Sequence, residues 1–555
     1  MDEQVEKIIS LAGNQNRYQY FTLIVIVFLW INCNFIAIVL PFIEREPIIN
    51  YQDKEGYHSK ETLTNEICDK IEDYYGDYNY TVVESFNYSW VIEYHIECNK
   101  FDVGLIGSFA FIGNTAGGLV FSVINKIFSH KKILIISSFG FCLAVFLCTI
   151  VRDYKYFLYL LFSETFIGLF GNCLCYSSLV IAQEIVSNDK RSTFSSIINL
   201  GYSLCGILYS LAFLYLQEWR KVFFVLIGGS GIALIFIWIF IYDSPRGYIN
   251  SKNYKKTMEI LEGIASFNGK LDEFKESIKL DEYQDILKAI KGEEPIKLND
   301  NEKNEEKMEE EKEIGNINDS KIPDIATSLI STEKGEEAKK QSDDSNKENQ
   351  GNKKKDKTIN IYSLFKYPSI RYKFLILNIL WIGTRAAFNG ISISSKSFPG
   401  NFYVNIIVLY IIESVSYCVS GVLIDIQKIG RKGALWIQYF IIIVVLLILA
   451  FVELDTIPAL ILNYISRFCA AGIEVIYYTY SLEVYPTPVR SIAFGVNATF
   501  GNGGSILAPL LLEFLPNWLF LTVFAIVCGL NSFLISFLPE TVGKPMVESI
   551  KELEE

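Results

Sequence analysis

The chain has 555 residues, 51% hydrophobic and 14% aromatic, with a formal net charge of −12. Such an apolar composition excludes an ordinary water-soluble protein of this length. Basic residues interleaved with acids in an acidic chain exclude a nucleic-acid binder.

Residues 1–19 are polar and acidic, lack the basic start and cleavage site of a secretory signal, and read as a cytoplasmic N-terminus. A bilayer core takes about 20 mainly apolar residues per helix, because each buried backbone N–H and C=O must bond within its own segment. The first such span is 20–42. The polar stretch 43–101 follows, with sequons at Asn79-Tyr-Thr and Asn87-Tyr-Ser and two cysteines, Cys68 and Cys98. It is expected to be an exoplasmic, glycosylated loop with one disulfide. Spans at 103–124, 133–151, 156–183, 193–216 and 221–242 complete an N-terminal half, 20–242.

The polar centre, 243–370, divides in two. Met258, Leu261 and Ile264 at helical spacing predict short amphipathic helices within 250–292. Residues 293–357 are mostly Glu, Lys, Asn, Asp and Ser, too polar to bury a core, and are expected to be a disordered linker. Spans at 373–394, 402–424, 435–452, 457–482, 491–513 and 517–538 form a C-terminal half, 371–538, before a cytoplasmic tail, 539–555. The predicted fold is an all-α membrane protein of twelve spans in two six-helix halves. Basic residues concentrate in the short loops on the N-terminal side, including Lys131, Lys132, Lys190, Arg191, Lys428, Arg431, Lys432 and Arg490, which makes that side cytoplasmic.

Charged residues inside apolar spans cost a few kcal/mol each and need a partner, a watery cavity or a solute. Such residues are Glu164 (span 4), Arg385 (span 7), Glu413 (span 8), and Arg467 and Glu474 (span 10). Asn502 lies in the glycine-rich stretch "NATFGNGGSILAP" of span 11, and Trp381, Phe388, Tyr477 and Tyr478 offer aromatic faces for an organic cation. Between spans 8 and 9, "GVLIDIQKIGRK" packs Asp425, Lys428, Arg431 and Lys432 between two apolar runs, with Gly421 and Gly430 for close approach. This is the composition of a charged latch at a membrane surface.

The latch resembles the G-x-x-x-D-x-x-G-R-[KR] loop of the major facilitator superfamily, and Gly421, Asp425, Gly430, Arg431 and Lys432 match it. The equivalent loop of the first half keeps Gly118 and Lys131-Lys132 but has Asn125 near the acid position. "DSPRGYI" (243–249), "LEVYPTPVRS" (482–491) and "LPETVGKPM" (538–546), with Glu184 and Arg191 after span 4 and "EWR" (218–220), narrow the resemblance to the organic cation, organic anion and carnitine transporters. Sugar porters are more distant relatives. The resemblance implies a secondary or facilitative carrier of a small organic ion working by alternating access. By family position it implies Glu413, Arg467 and Asn502 in the substrate site; the intramembrane charges Arg385 and Glu474 and the aromatic faces of Trp381, Phe388 and Tyr478 join them as candidates read from the residues. It also implies a cytoplasmic gate built from Gly421, Asp425, Gly430, Arg431, Glu184, Arg191, Arg246, Glu483, Arg490 and Glu540.

Glu164 and Arg385 stand where such relatives carry arginine and a small residue, so the two swaps are expected to compensate each other across the halves. For each buried charge the alternative is an internal ion pair. No nucleotide-binding loop is present, and His58, His95 and His130 all fall between apolar runs, so no enzyme, cofactor or metal is expected. The expected partners are a small organic solute and membrane lipid, with the protein a monomer in the plasma membrane, an organelle membrane being the alternative. Two other readings are a sugar or polyol porter and a non-transporting receptor or structural protein of the same fold.

Overall fold

A computed structural model describes residues 8–13, 16–52, 57–63, 65–75, 80–84, 86, 88–125, 127–186, 188–245, 248, 253–279, 362–398, 400–452 and 455–542. The sequon asparagines Asn79 and Asn87 and the segment 293–357 lie outside the described residues, as do Arg246 and the side chains of Arg191 and Asp425.

Eleven helices among the described residues are long and apolar enough to cross a membrane. Span 1 is Arg17–Cys33 continued by Phe35–Ile43, with Asn34 at the junction. Spans 2 to 6 are Lys100–Ile124, His130–Ile150, Phe157–Glu184, Asn188–Leu216 and Trp219–Phe240. Spans 7 to 10 are Pro368–Ser394, Phe402–Asp425, Gly430–Phe451 and Thr456–Val484, and span 12 is Asn517–Ile535. Span 11 differs from the continuous helix its sequence predicts. It runs as Thr487–Gly504, then Leu507–Phe514, broken at Ser505 and Ile506. The cause is local: Pro509 has no N–H to give the Ser505 carbonyl four residues back, and span 7 packs close against the break, where a Cβ on Gly504 would sit 2.3 Å from the Ile382 carbonyl oxygen. Neither segment is long enough and apolar enough to count alone, and together they occupy the twelfth position.

Side chains such as Phe139, Phe146, Trp238, Phe440 and Phe533 point outward, as a lipid-facing surface requires. An apolar groove between spans 8 and 10, lined by Ile412, Ile461, Tyr464, Ile465 and Phe468, belongs to that surface, because Ile461 and Ile465 are exposed.

The stretch 43–101, expected as a loop, is a small domain. Strand β1 (Ile48–Gln52) is central, paired antiparallel with β2 (Tyr57–Thr62) and β3 (Tyr80–Glu84). Helix Asn65–Tyr75 covers it, and Ile49, Tyr51, Leu63, Ile67 and Ile71 form its core. A disulfide joins Cys68 to Cys98. Glu93 fastens the domain to the bundle: it pairs with Arg220 at 2.5 Å and accepts from Trp219 Nε1, while Arg220 also donates to the carbonyls of Thr149 and Val151.

At the opposite membrane face, helices Tyr254–Phe267 and Leu271–Ser277 bury Leu261 and Ile264 and half-bury Met258. Asn268 pins them to the N-terminal segment, accepting from the Tyr18 N–H at 2.8 Å and donating to the Ala12 carbonyl at 2.8 Å.

The two halves meet at the end that carries the small domain, called here the domain end. Ser108 of span 2 donates to the Ile506 carbonyl at 2.9 Å, and Leu510 packs against Gly104. Arg45, just past span 1, is hydrogen-bonded to Tyr88 and held between the rings of Phe86 and Phe402, the latter opening span 8. Midway along, Ser203 of span 5 approaches Glu413 of span 8 at 3.4 Å. The structure is closed at the domain end.

Candidate substrate site and gates

The five intramembrane charges fall into three groups. Glu413 and Arg467, both from the C-terminal half, are fully buried where Ser203 of the other half reaches Glu413. Arg467 Nε donates to Glu413 at 3.0 Å, its Nη1 donates to the Phe388 carbonyl at 2.8 Å, and its guanidinium lies 3.8 Å from the Phe388 ring centre. Tyr417 donates to Glu413 at 2.7 Å. Every strong acceptor and donor of this pair is engaged, which is how a buried ion pair is tolerated.

Arg385 and Glu474 form the second group, 2.9 Å apart, on spans 7 and 10. Arg385 also donates to the Tyr478 hydroxyl, and Trp381 meets Tyr478 edge-on at 5.1 Å between ring centres. From span 11, Gly501 presses on Trp381 and Arg385, which sets Asn502 beside them. Across the interface, Tyr176 of span 4 faces Asn172, Asn502 and Arg385, and Tyr202 of span 5 faces Glu413 and Glu474. Among the described residues, Arg385 Nε and Glu474 Oε2 are buried with no hydrogen-bond partner. A buried unsatisfied polar atom is costly, so two at one spot mark a place where a further group can bind.

Glu164 is the third group. It is fully buried, and neither carboxyl oxygen has a partner among the described residues. The expected compensation between Glu164 and Arg385 does not form, because Glu474, on a span packed beside Arg385, takes the guanidinium first.

At the membrane face opposite the domain end, Arg431 makes a two-pronged pair with Glu483, with Nη2 at 2.9 Å and Nε at 3.1 Å, and donates from Nη1 to the Ile424 carbonyl. Glu540 caps the start of span 9, accepting from the Arg431 and Lys432 N–H groups at 3.1 and 3.0 Å. Burial would raise its pKa, but the N–H groups of Val542, Lys432, Thr541 and Arg431 outweigh that and hold it below the usual carboxylate value. Gly430 has φ +68°, and a Cβ there would lie 2.7 Å from the Glu540 carboxylate. Gly421 differs from expectation: an added Cβ would meet nothing within 4 Å among the described residues, and the neighbouring Val422 is exposed on the lipid-facing side of span 8. Arg490 donates to the Tyr485 carbonyl at 3.2 Å, at the end of span 10. Glu184 Oε2 has no partner among the described residues.

The first half repeats the cap with different residues. Asp243, after span 6, accepts from the Lys131 N–H at 3.3 Å at the start of span 3. The sequence reading missed this role because it sought an acid near Asn125. The position of Asp243 in "DSPR", matching Glu540 in "LPET" after span 12, was the available signal. Tyr176 was missed because one tyrosine among 33 carries no sequence signal.

Residues 22–509 match the family model of the Major Facilitator Superfamily. The chain is 22% identical over 479 residues to Organic cation transporter 1 of Caenorhabditis elegans, covering 84% of this chain and 69% of that one. It is 22% identical over 477 residues to Organic cation/carnitine transporter 2 of Homo sapiens, covering 83% and 71%. Among solved structures, the inward open xylose transporter XylE from E. coli matches with a TM-score of 0.59 at 13% identity, covering 97% of this chain and 99% of that one, which is a likeness of fold. The family match runs through both halves, and the chain belongs to the Major Facilitator Superfamily.

Proposed function

We propose that the protein is a plasma-membrane carrier of small organic ions, with the domain end exoplasmic, and that Arg385 and Glu474 bind the solute. The observation that carries this reading is the open valence on each member of that pair, at the junction of spans 4, 7, 10 and 11. A cationic group on the solute is taken by Glu474 and an anionic group by Arg385, while Trp381 and Tyr478 supply an apolar and cation-attracting wall. Asn502 adds a neutral donor and acceptor. A solute bearing both charges satisfies both open atoms at once, so carnitine-like zwitterions fit best. The names of the relatives, organic cation and organic cation/carnitine transporters, support the same class.

Glu413 and Arg467 act through the shape of the C-terminal half, and Phe388 supports Arg467 from beneath. Arg431, Glu483 and Glu540 form the gate at the cytoplasmic face, with Gly430 making room for Glu540. Transport proceeds by rocking of the two halves about the central site. The protein acts as a monomer within lipid.

The test is uptake into proteoliposomes of labelled carnitine, a labelled quaternary ammonium and a labelled small carboxylate. Saturable flux of at least one, reduced at least about tenfold by Arg385→Gln or by Glu474→Gln with the protein still monodisperse, is expected; such a loss corresponds to about 1.4 kcal/mol. Flux unchanged by both variants moves the site elsewhere. No flux of any probe favours a receptor or structural protein of this fold.

A further inference from the structure

Four charged side chains converge at the closed domain end. Glu44 closes span 1 and Glu46 follows it, Lys396 lies in the turn Ser395–Ser397 after span 7, and Glu513 sits in the second segment of span 11. Lys396 Nζ is 2.6 Å from Glu513 Oε1, 3.8 Å from Glu46 Oε1 and 3.9 Å from Glu44 Oε2. Their side chains are between 1% and 12% exposed. Two carboxyls come from the N-terminal half, the ammonium and third carboxyl from the other, so the cluster is assembled only while the halves touch here.

Its charges do not balance. Three carboxylates around one ammonium leave two excess negative charges in a site shielded from water, where like charges repel strongly. Glu44 Oε1 is buried against Gly107 of span 2, where an added Cβ would lie 2.9 Å away; the Gly107 backbone N–H is directed at the carboxyl but makes no hydrogen bond of good geometry with Oε1. Two further charged groups lie near among the described residues. Glu164 of span 4 faces Glu44 as a further acid, and Arg45 is turned aside between Phe86 and Phe402.

We propose that this cluster binds a proton when the domain-end gate closes and releases it when the gate opens. The proposal rests on the alternating-access reading. Burial, opposed by Lys396 and aided by repulsion from Glu513, pushes Glu44 up to about 8 and Glu46 to about 7. With the halves apart, both carboxyls return to water and to their ordinary value of about 4.3. A group whose pKa is raised in the closed state stabilises that state fully below its ordinary value, and the contribution is lost as pH rises through the raised one. Acid on the domain side therefore favours closure, with the switch between about pH 4.5 and pH 8. Flux then depends on pH on that side even for a solute that does not titrate.

The test places a reporter, Leu510→Cys, at the closed junction in a Cys418→Ser background, with membrane-impermeant maleimide added from the domain side. Rates at about pH 5.5 and about pH 8 are normalised to the same protein unfolded in SDS, which removes thiol ionisation. Normalised labelling about threefold or more slower at the acid pH is expected, and Glu44→Gln with Glu46→Gln should label slowly at both. Lys396→Gln, a second variant, should move the transition to higher pH, because the carboxyls lose their cation. Equal rates at both pH values, or a pH dependence that survives in the double Gln variant, overturns the proton site. Uptake by the reporter protein separates the two readings: flux without pH-dependent labelling overturns the proton site and keeps the carrier, while pH-dependent labelling without flux of any probe does the reverse.

Discussion

Two arginine–glutamate pairs lie within one half and differ in what surrounds them. Arg467 and Glu413 have their polar atoms engaged by each other, Tyr417 and the Phe388 carbonyl, whereas Arg385 and Glu474 each keep one atom open. The first pair is structural in its energetics. Removing one member leaves an uncompensated buried charge, at a cost of about 3 kcal/mol or more. Glu413→Gln should therefore lower the melting temperature of the detergent-purified protein by several degrees, while Arg385→Gln, in a pair whose side chains are 16% and 8% exposed rather than fully buried, should lower it less and reduce flux at least about tenfold. Equal melting temperatures for the two variants would put both pairs in the same class. The sequence identifies all four residues by their intrusion into apolar spans, but one sequence does not say which carboxyl meets which guanidinium. The interhelical geometry decides that, and it is also why Glu164 and Arg385 do not pair.

At the scale of elements, the spans themselves are legible, because lipid burial forces about 20 apolar residues per helix and the chain supplies them. The small domain is not, since 43–101 reads as polar throughout and its strands are set by a core of only a few side chains, Ile49, Tyr51 and Leu63 among them. The break in span 11 follows from Pro509, which the sequence shows, whereas the packing of Gly504 on span 7 appears only once both helices are placed. The latch shows the reverse case. Its charges are visible in sequence, yet the part played by Glu540, capping span 9 from beyond span 12, appears only in three dimensions. Gly430 is required there twice over, by its positive φ and by the nearness of Glu540. Gly430→Ala should cost about 1–2 kcal/mol from the backbone alone. Amide hydrogen exchange at the start of span 9 should quicken with it. Because the Glu540 pKa is depressed, the cap is present above the ordinary carboxylate range and fades as pH falls through the depressed value. Unchanged exchange in Gly430→Ala would show that the cap does not hold span 9.

In the whole molecule, two six-span halves enclose a charged and aromatic centre and touch at the domain end through Ser108–Ile506, Gly104–Leu510, Arg45 and the Lys396 cluster. The division into halves is read from sequence by the long polar centre, 243–370; which end is shut is not, because both states use the same helices. A carrier of this design must open each end in turn, so fixing one end must stop it.

The most direct measurement joins Ser108→Cys to Ile506→Cys with a short bis-methanethiosulfonate, whose disulfides a reductant cleaves, and follows uptake of labelled carnitine and a labelled quaternary ammonium. The account predicts that uptake falls to background on cross-linking and returns on cleavage. Uptake that continues undiminished across a joined domain end would contradict alternating access by these two halves.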